Sequence, residues 1–241
     1  MTRDNPFLLA LQRRDALSPD EMAIIEKISS WRSNLPAKWE IVGEGDTPTT
    51  SCLLLSGFAA RYSVLADGRR QITAIHTAGD FVDLHSFLLA RMDHSVTLLT
   101  DCTVSKVPHA YLRDITEQHP HFTRLLWLLT IIDAATYRRW LLAAGRLSSA
   151  GQIAHFFCEM FVRLQVVEQT DGFVFSLPIS QSELSDAMGL SIVHVNRTLQ
   201  ALRSRKIISW QGDEFRILDW NALKALAEFD PTYLNLHAKA R

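Results

Sequence analysis

Two neighbouring side chains near the C-terminal end of the chain, Asn196 and Arg197, have the chemistry to read the edges of bases. A guanidinium can bond two-pronged to guanine, and a carboxamide can take adenine or a phosphate. The residues around them fit the same use. Ser180, Gln181, Ser191 and His194 carry hydroxyl, carboxamide and imidazole groups that can hydrogen-bond to phosphate, a contact that positions a protein without specifying sequence. Arg203 lies further along the same outward face. From Ser191 to Lys206 the charged residues are Arg197, Arg203, Arg205 and Lys206, with no acid among them. A plain surface helix mixes signs.

These side chains need two short helices to present them. Ser180 with Glu183 three residues later has the spacing of a capping box. Leu184, Ala187 and Met188 then form one apolar face. Gly189 suits a sharp helix exit, because glycine takes positive φ at little steric cost. Ser191 caps a second helix whose Val195, Leu199 and Leu202 recur at inward-facing spacing. The pattern is a helix-turn-helix with a polar outer face suited to the DNA major groove; the bland alternative is a helical hairpin in a core. Lys206–Trp210, a Gln211-Gly212-Asp213 turn and Glu214–Leu218 follow as a hairpin, or wing. A last helix starts at Asp219. Upstream, 145–168 reads as a helix with a stripe of Ile153, Phe156, Phe157, Met160, Phe161 and Leu164, and Phe173–Leu177 as a strand.

Residues 5–35 read as helical, with Ser18 capping a helix that begins at Pro19. From Trp39 the texture changes to short apolar runs between polar turns. The strands expected are 40–42, 51–55, 58–64, 70–76, 95–100 and 103–107, with Asp67-Gly68 as a hairpin turn and a possible short helix over 84–91. Regular spacing of this kind implies an antiparallel sandwich or jelly roll. A long helix is expected over about 120–142. Phe122, Leu125, Leu126, Leu129, Ile132 and Thr136 make one apolar face, and Trp127, Leu128, Ile131 and Ala135 another. A helix apolar on two faces is buried on two sides. One side can lie on the β roll and the other on a second copy of the chain. The expected class is therefore α+β: a β-roll domain with N-terminal helices over 1–118, a dimerisation helix over 119–144 and a winged helix-turn-helix over 145–241.

Composition narrows the class. With 241 residues and a formal net charge of −1, the chain is no basic nucleic-acid coat, and any DNA affinity must come from a local patch. Cys52, Cys102 and Cys158 are scattered without paired spacing, giving neither a disulfide framework nor a zinc knuckle. The N-terminal residues from Met1 to Pro6 lack the apolar run of a signal peptide, and no run is long enough to span a bilayer, so a soluble cytoplasmic protein with no membrane partner is expected.

A β roll, a long helix and a C-terminal winged helix in this order resemble the cyclic-AMP receptor protein/fumarate-nitrate regulator (Crp/Fnr) family of bacterial transcription factors. The resemblance covers nearly the whole chain. It is most specific at Gln181–Asp186, Gly189–Ser191 and Val195–Leu199, with Gly145-Arg146, Ala154-His155 and Cys158-Glu159 also typical. It implies a homodimer that binds a palindromic double-stranded operator and acts through RNA polymerase. Base contacts would fall at Ile192, Val193, Asn196 and Arg197; many relatives carry glutamate where this chain has Val193, so the base code is expected to differ.

The resemblance also implies an effector pocket around Val82, Asp83, Leu84, His94 and Ser95. In the nucleotide-binding members a Gly-Glu pair takes the ribose and an arginine the cyclic phosphate. Here Val82 and Asp83 stand at the first place and His94 at the second. A histidine with a reference pKa of about 6.5, beside an acid, is a poor partner for a phosphate monoanion. No tight cyclic-AMP binding and no cofactor are therefore expected, with the effector unknown. Metal sensing is not expected either. There is no four-cysteine set for an iron–sulfur cluster, and His119-Pro120-His121, His76 and His94 read as satisfied or solvated histidines. Two rivals are a cyclic-nucleotide or other small-molecule-binding module and a jelly-roll metalloenzyme. The second would use His76, Asp83 and His85, which lack a His-Xaa-His strand motif.

Overall fold

The computed structural model describes residues 5–237. The readings of residues 1–4 as lacking a leader, and of domain limits at 1 and 241, lie outside them. The chain divides into two compact units. The first comprises the described residues of 5–63 and 74–134, with 235–237; the second comprises 64–73 and 135–234.

In the first unit, α1 (Pro6–Gln12) and α2 (Pro19–Ile28) carry the side-chain caps that the sequence encodes. The Asn5 side chain accepts from Phe7 N and Leu8 N; Ser18 and Glu21 close a full capping box. The helical reading of 5–35 ends early. Residues Arg32–Leu35 form strand β1, because they pair with Cys102–Ser105 on β7. That partner lies far along the chain and gives no local signal. The other strands are β2 (Glu40–Val42), β3 (Thr50–Ser56), β4 (Ala59–Val64), β5 (Arg70–His76), β6 (Ser95–Leu98) and β7 (Cys102–Pro108). They form two sheets, β1-β7-β3 and β2-β6-β4-β5, with the pairs β1/β7, β3/β7, β2/β6 and β4/β6 antiparallel; residues 70–73 of β5 fall in the second unit.

Side chains alternate across β3. Cys52 and Leu54 enter a core cluster with Val42, Ala59, Val96, Leu98 and Val104. Leu53 points the other way, into a cluster with Phe7, Leu11, Ile25, Ile28, Val107, Leu112, Ile115, Phe122 and Leu125. A strand buried on both faces reads as a continuous apolar run, which explains Cys52-Leu53-Leu54-Leu55. The short helix expected over 84–91 is a single 3₁₀ turn, Leu84–Phe87. After it come α3 (His109–Gln118) and α4 (Pro120–Arg146).

In the second unit, α5 (Ser149–Val166) starts later than the sequence implies. Ser148 accepts from Gly151 N as its cap, and Gly145 and Arg146 end α4. Twelve of the eighteen residues of α5 are buried, so the helix is enclosed by what surrounds it. The sheet order is β10-β11-β9-β8, from β8 (Thr170–Asp171), β9 (Val174–Ser176), β10 (Ile208–Gln211) and β11 (Glu214–Ile217). Phe215 joins sheet to helix: its ring centroid lies 4.4 Å from that of Phe157 and 5.0 Å from that of Phe175. Helices α6 (Gln181–Met188), α7 (Ile192–Ser204) and α8 (Trp220–Leu226) complete the unit. The two units part between 134 and 135, inside α4, where the sequence reading set limits at 118 and 144.

Candidate functional site

Local chemistry sets the two helices of the turn. Ser180 Oγ accepts from Glu183 N at 3.1 Å, and the Glu183 carboxylate accepts from Ser180 N at 2.6 Å. Gly189 ends α6 at φ +64°, its N–H donating to Ser185 O. Ser191 Oγ then accepts from His194 N at 3.3 Å and starts α7. The side chains of Val195, Leu199 and Leu202 are wholly or almost wholly buried. Their burial fixes the rotation of α7 about its axis. The opposite face exposes Ile192, Asn196 and Gln200 in one row and Val193 and Arg197 in the next, each at four-residue spacing. Val193 is 74% exposed and Ile192 45%.

Ser180 and Ser191 are exposed, and Gln181 is half-buried at the first turn of α6. A hydroxyl that accepts a capping bond still has its own proton to donate. Two residues of the expected set are turned elsewhere. His194 is half-buried, with Nε2 2.8 Å from Ser149 Oγ on α5. Arg203 donates from Nη2 to the carbonyl of Trp210 at 3.1 Å. It holds α7 to the first wing strand, since a guanidinium seeks the nearest free carbonyl.

Sequence reasoning missed contacts made across long separations. Arg70 pairs with Asp186 of α6 at 2.8 Å, and Gln71 donates to the carbonyls of Asp186 and Ala187. Glu159 on α5 is fully buried and accepts from Tyr233 Oη (2.6 Å), Trp140 Nε1 (3.2 Å) and Arg163 Nη1 (3.3 Å). Burial raises its pKa against these donors. No local pattern announces such a set.

The first unit holds the expected effector residues. Val82 and Leu84 are buried. The Asp83 carboxylate accepts from Cys52 N at 2.5 Å, and burial pushes it up to about 7 against that bond and the charge of Arg61. Ser95 Oγ accepts from Glu44 N at 2.9 Å. His94 lies with Nδ1 2.7 Å from Asp93 Oδ1 and Nε2 3.2 Å from His85 Nε2. Arg61 donates to Asp133 Oδ2 at 2.8 Å and to Val82 O at 3.3 Å. The polar atoms at this place therefore face one another.

The other histidines are spread among separate partners. His121 Nδ1 lies 2.5 Å from Glu21 and Nε2 3.3 Å from Asp15. The Glu21 bond raises its pKa. Both ring nitrogens are engaged, which leaves none to share with His119. His76, Asp83 and His85 do not converge: His76 lies 3.9 Å from Asp80, Asp83 faces Cys52 and His85 faces His94. All three cysteines are buried free thiols.

On α4 the row of Phe122, Leu125, Leu126, Leu129 and Ile132, expected as the dimer helix, is the row that the unit's own core takes. Phe122, Leu125 and Leu126 join the unit's own core, Leu129 packs against it and Ile132 is buried. The outward apolar residues of that stretch are Trp127, 67% exposed, and Ile131, 47% exposed. The core side won the bulkier row because the β roll lies against it.

Comparison with known proteins places this geometry. A model of the Crp-like helix-turn-helix domain matches residues 151–226, and a model of the cyclic nucleotide-binding domain matches residues 32–119. The transcriptional activatory protein AadR of Rhodopseudomonas palustris is 32% identical over 200 residues, covering 79% of this chain and 78% of AadR. The chain belongs to the Crp/Fnr family. The transcriptional activator protein FnrL of Cereibacter sphaeroides is 26% identical over 196 residues, 80% of this chain and 78% of FnrL. Among solved structures, FixK2 from Bradyrhizobium japonicum superposes with a TM-score of 0.73 at 24% identity, covering 81% of this chain and 96% of FixK2. This Crp/Fnr chain is thus a DNA-binding transcription regulator and not an enzyme, with the α+β architecture of a nucleotide-binding-type β roll and a helix-turn-helix. Among the described residues no helix is long and apolar enough to cross a membrane.

Proposed function

We propose that the protein is a cytoplasmic homodimeric regulator that reads a palindromic operator with α7 and reports to RNA polymerase. The observation that carries this reading is the exposed face of α7, where Asn196 and Arg197 stand beside Ile192 and Val193 with the caps and core fixing their direction. Arg197 takes guanine and Asn196 adenine, while Ile192 and Val193 supply apolar contact to thymine methyls. Ser180, Gln181 and Ser191 bind phosphates. His194 and Arg203 position α7, through Ser149 and the wing. One such helix covers a half-site, and two-fold pairing doubles it. Trp127 and Ile131 are the pairing residues in the first unit, since exposed aromatic and aliphatic side chains at four-residue spacing suit a second copy of the same helix. Relatives named as activators favour an output through polymerase.

The sensor pocket is degenerate. His94 stands where a cyclic phosphate needs a fixed charge, and the charge of Arg61 is met by Asp133 at 2.8 Å. Isothermal calorimetry with cyclic AMP is expected to give no heat at micromolar concentration; a saturable isotherm there refutes this part. A mobility-shift titration on operator DNA tests the whole reading. The expected result is a single dimer complex whose log affinity falls steeply with log salt, by close to one unit per phosphate contact. A salt-independent or one-to-one complex refutes it.

A further inference from the structure

Of the nine histidines, two meet through their Nε2 atoms. His85 lies in the 3₁₀ turn Leu84–Phe87, and His94 lies just before β6. Their Nε2 atoms are 3.2 Å apart, with ring centroids 4.9 Å apart and planes inclined by 52°. Two imidazole nitrogens each about 2.0–2.1 Å from a tetrahedral zinc ion lie roughly 3.3 Å apart. The observed separation is therefore the bite that such an ion requires. His94 Nδ1 is 2.7 Å from Asp93 Oδ1, and one donor atom from each of His85, Asp93 and His94 lies within 4.8 Å of the others.

We propose that His85 and His94 form a two-histidine site for a divalent transition-metal ion of the zinc type, with Asp93 as the carboxylate that orients His94. A carboxylate that accepts a hydrogen bond from Nδ1–H fixes the tautomer and leaves Nε2 with its lone pair toward the ion. His94 is 7% exposed and His85 half-buried, so both rings are held, while Asp93 is exposed. Burial, and next the charge of Arg61, keep both imidazoles below their ordinary pKa, His85 at about 4. Neutral rings are what a metal binds. Two charged groups face the pair from neighbouring elements, Arg61 of β4 and Asp133 of α4. They are joined at 2.8 Å, so the cation opposing a metal is met by a carboxylate, and Asp93 adds a further negative charge. With two protein ligands, the ion keeps open positions for water or a small anionic ligand. His121, with both nitrogens bonded to Glu21 and Asp15, lacks this arrangement although it too sits among acids.

The test is metal binding by the tag-free full chain, independent of any DNA. Zinc is measured by competition with a chromophoric chelator, and cobalt by its ligand-field absorption. One ion per chain is expected. His85→Gln and His94→Gln are expected to abolish it while keeping the wild-type circular dichroism, and Asp93→Asn to weaken it about 10–100-fold. X-ray absorption of the zinc-loaded wild type keeps the test decisive if a variant unfolds: two imidazoles in the shell support the site, and a shell of oxygens alone overturns it. Wild-type protein that takes up no ion, or variants that bind as well as wild type, would overturn the proposal.

Discussion

His155 offers a sharp electrostatic prediction for the DNA-reading unit. Its ring is 6% exposed, stacked at 17° on Tyr233 with centroids 6.0 Å apart and set edge-on to Phe229 at 5.3 Å. Burial, with the charge of Arg139 second, lowers its pKa from 6.5 to about 4. The folded protein therefore keeps it neutral where the unfolded chain protonates. Stability is complete above pH 6.5 and is lost as the pH falls from there towards 4. At about 1.4 kcal/mol per pH unit the full loss approaches ~3.4 kcal/mol, and by pH 5 it is about 2 kcal/mol. With a urea slope of about 2 kcal/mol/M, the unfolding midpoint drops by about 1 M between pH 7 and pH 5 from this group alone. His155→Phe retains an aromatic ring and removes the titration. Overpacking by the larger ring costs the same at every pH, so the quantity to measure is the change in the mutant–wild-type difference. Urea unfolding at pH 7 and pH 5 should show the variant gaining about 2 kcal/mol relative to wild type at the lower pH. Parallel pH profiles for the two proteins would refute the reasoning, because they would mean that the folded protein accommodates the charged ring.

Arg197→Ala should cost about 1–3 kcal/mol of operator affinity and relax preference at one base pair, read by competition binding against single-base operator variants; equal weakening on every sequence would reduce Arg197 to a phosphate contact. Ser191→Ala removes the acceptor for His194 N and should cost about 0.5–2 kcal/mol, seen as a lower melting temperature. Gly189→Ala forces a side chain to φ +64° and should cost about 1–2 kcal/mol; the nearest atom to an added Cβ, Gln71 Oε1, is 3.6 Å away, so the strain is backbone strain, and Gly189→Asn should recover part of it. Trp127→Glu should shift the chain towards monomer in sedimentation equilibrium while leaving circular dichroism unchanged, since the residue is 67% exposed and supports no core.

What could be read from residues alone was local. The cap at Ser18, the capping box at Ser180, the turn glycine at 189 and the strand at 70–76 all depend on neighbours a few positions away, and each formed where the pattern put it. Features that depend on distant partners gave no local signal. Arg32–Leu35 became a strand because Cys102–Ser105 of β7 pair with it, while Arg32, Ser33 and Asn34 are all polar and give no apolar–polar alternation. On α4 both faces are apolar, so periodicity could not say which one the β roll would take. His194 and Arg203 lie on the polar side of α7 by spacing, yet Ser149 and the Trp210 carbonyl are within reach and claim them. Helical periodicity assigns a direction to the Cβ, whereas a long polar side chain goes where its hydrogen bond is.

The same reasoning separates the output of this protein from its input. Among the described residues no hydrogen bond or ion pair engages the side chains of Asn196 and Arg197 on α7, so they are available and their chemistry can be inferred from residue type. In the β roll, Asp83, Ser95, His94 and Arg61 are each engaged by Cys52 N, Glu44 N, Asp93 or Asp133. A ligand that bound there as a cyclic phosphate would have to break those bonds and leave buried donors and acceptors unmet, at about 1–3 kcal/mol for each neutral one. A metal ion between His85 and His94 would break none of the four: it would replace one shared proton and leave the Asp93 contact in place. On the proposed reading, the contacts around His85 and His94 favour a small, positively charged occupant over a cyclic phosphate.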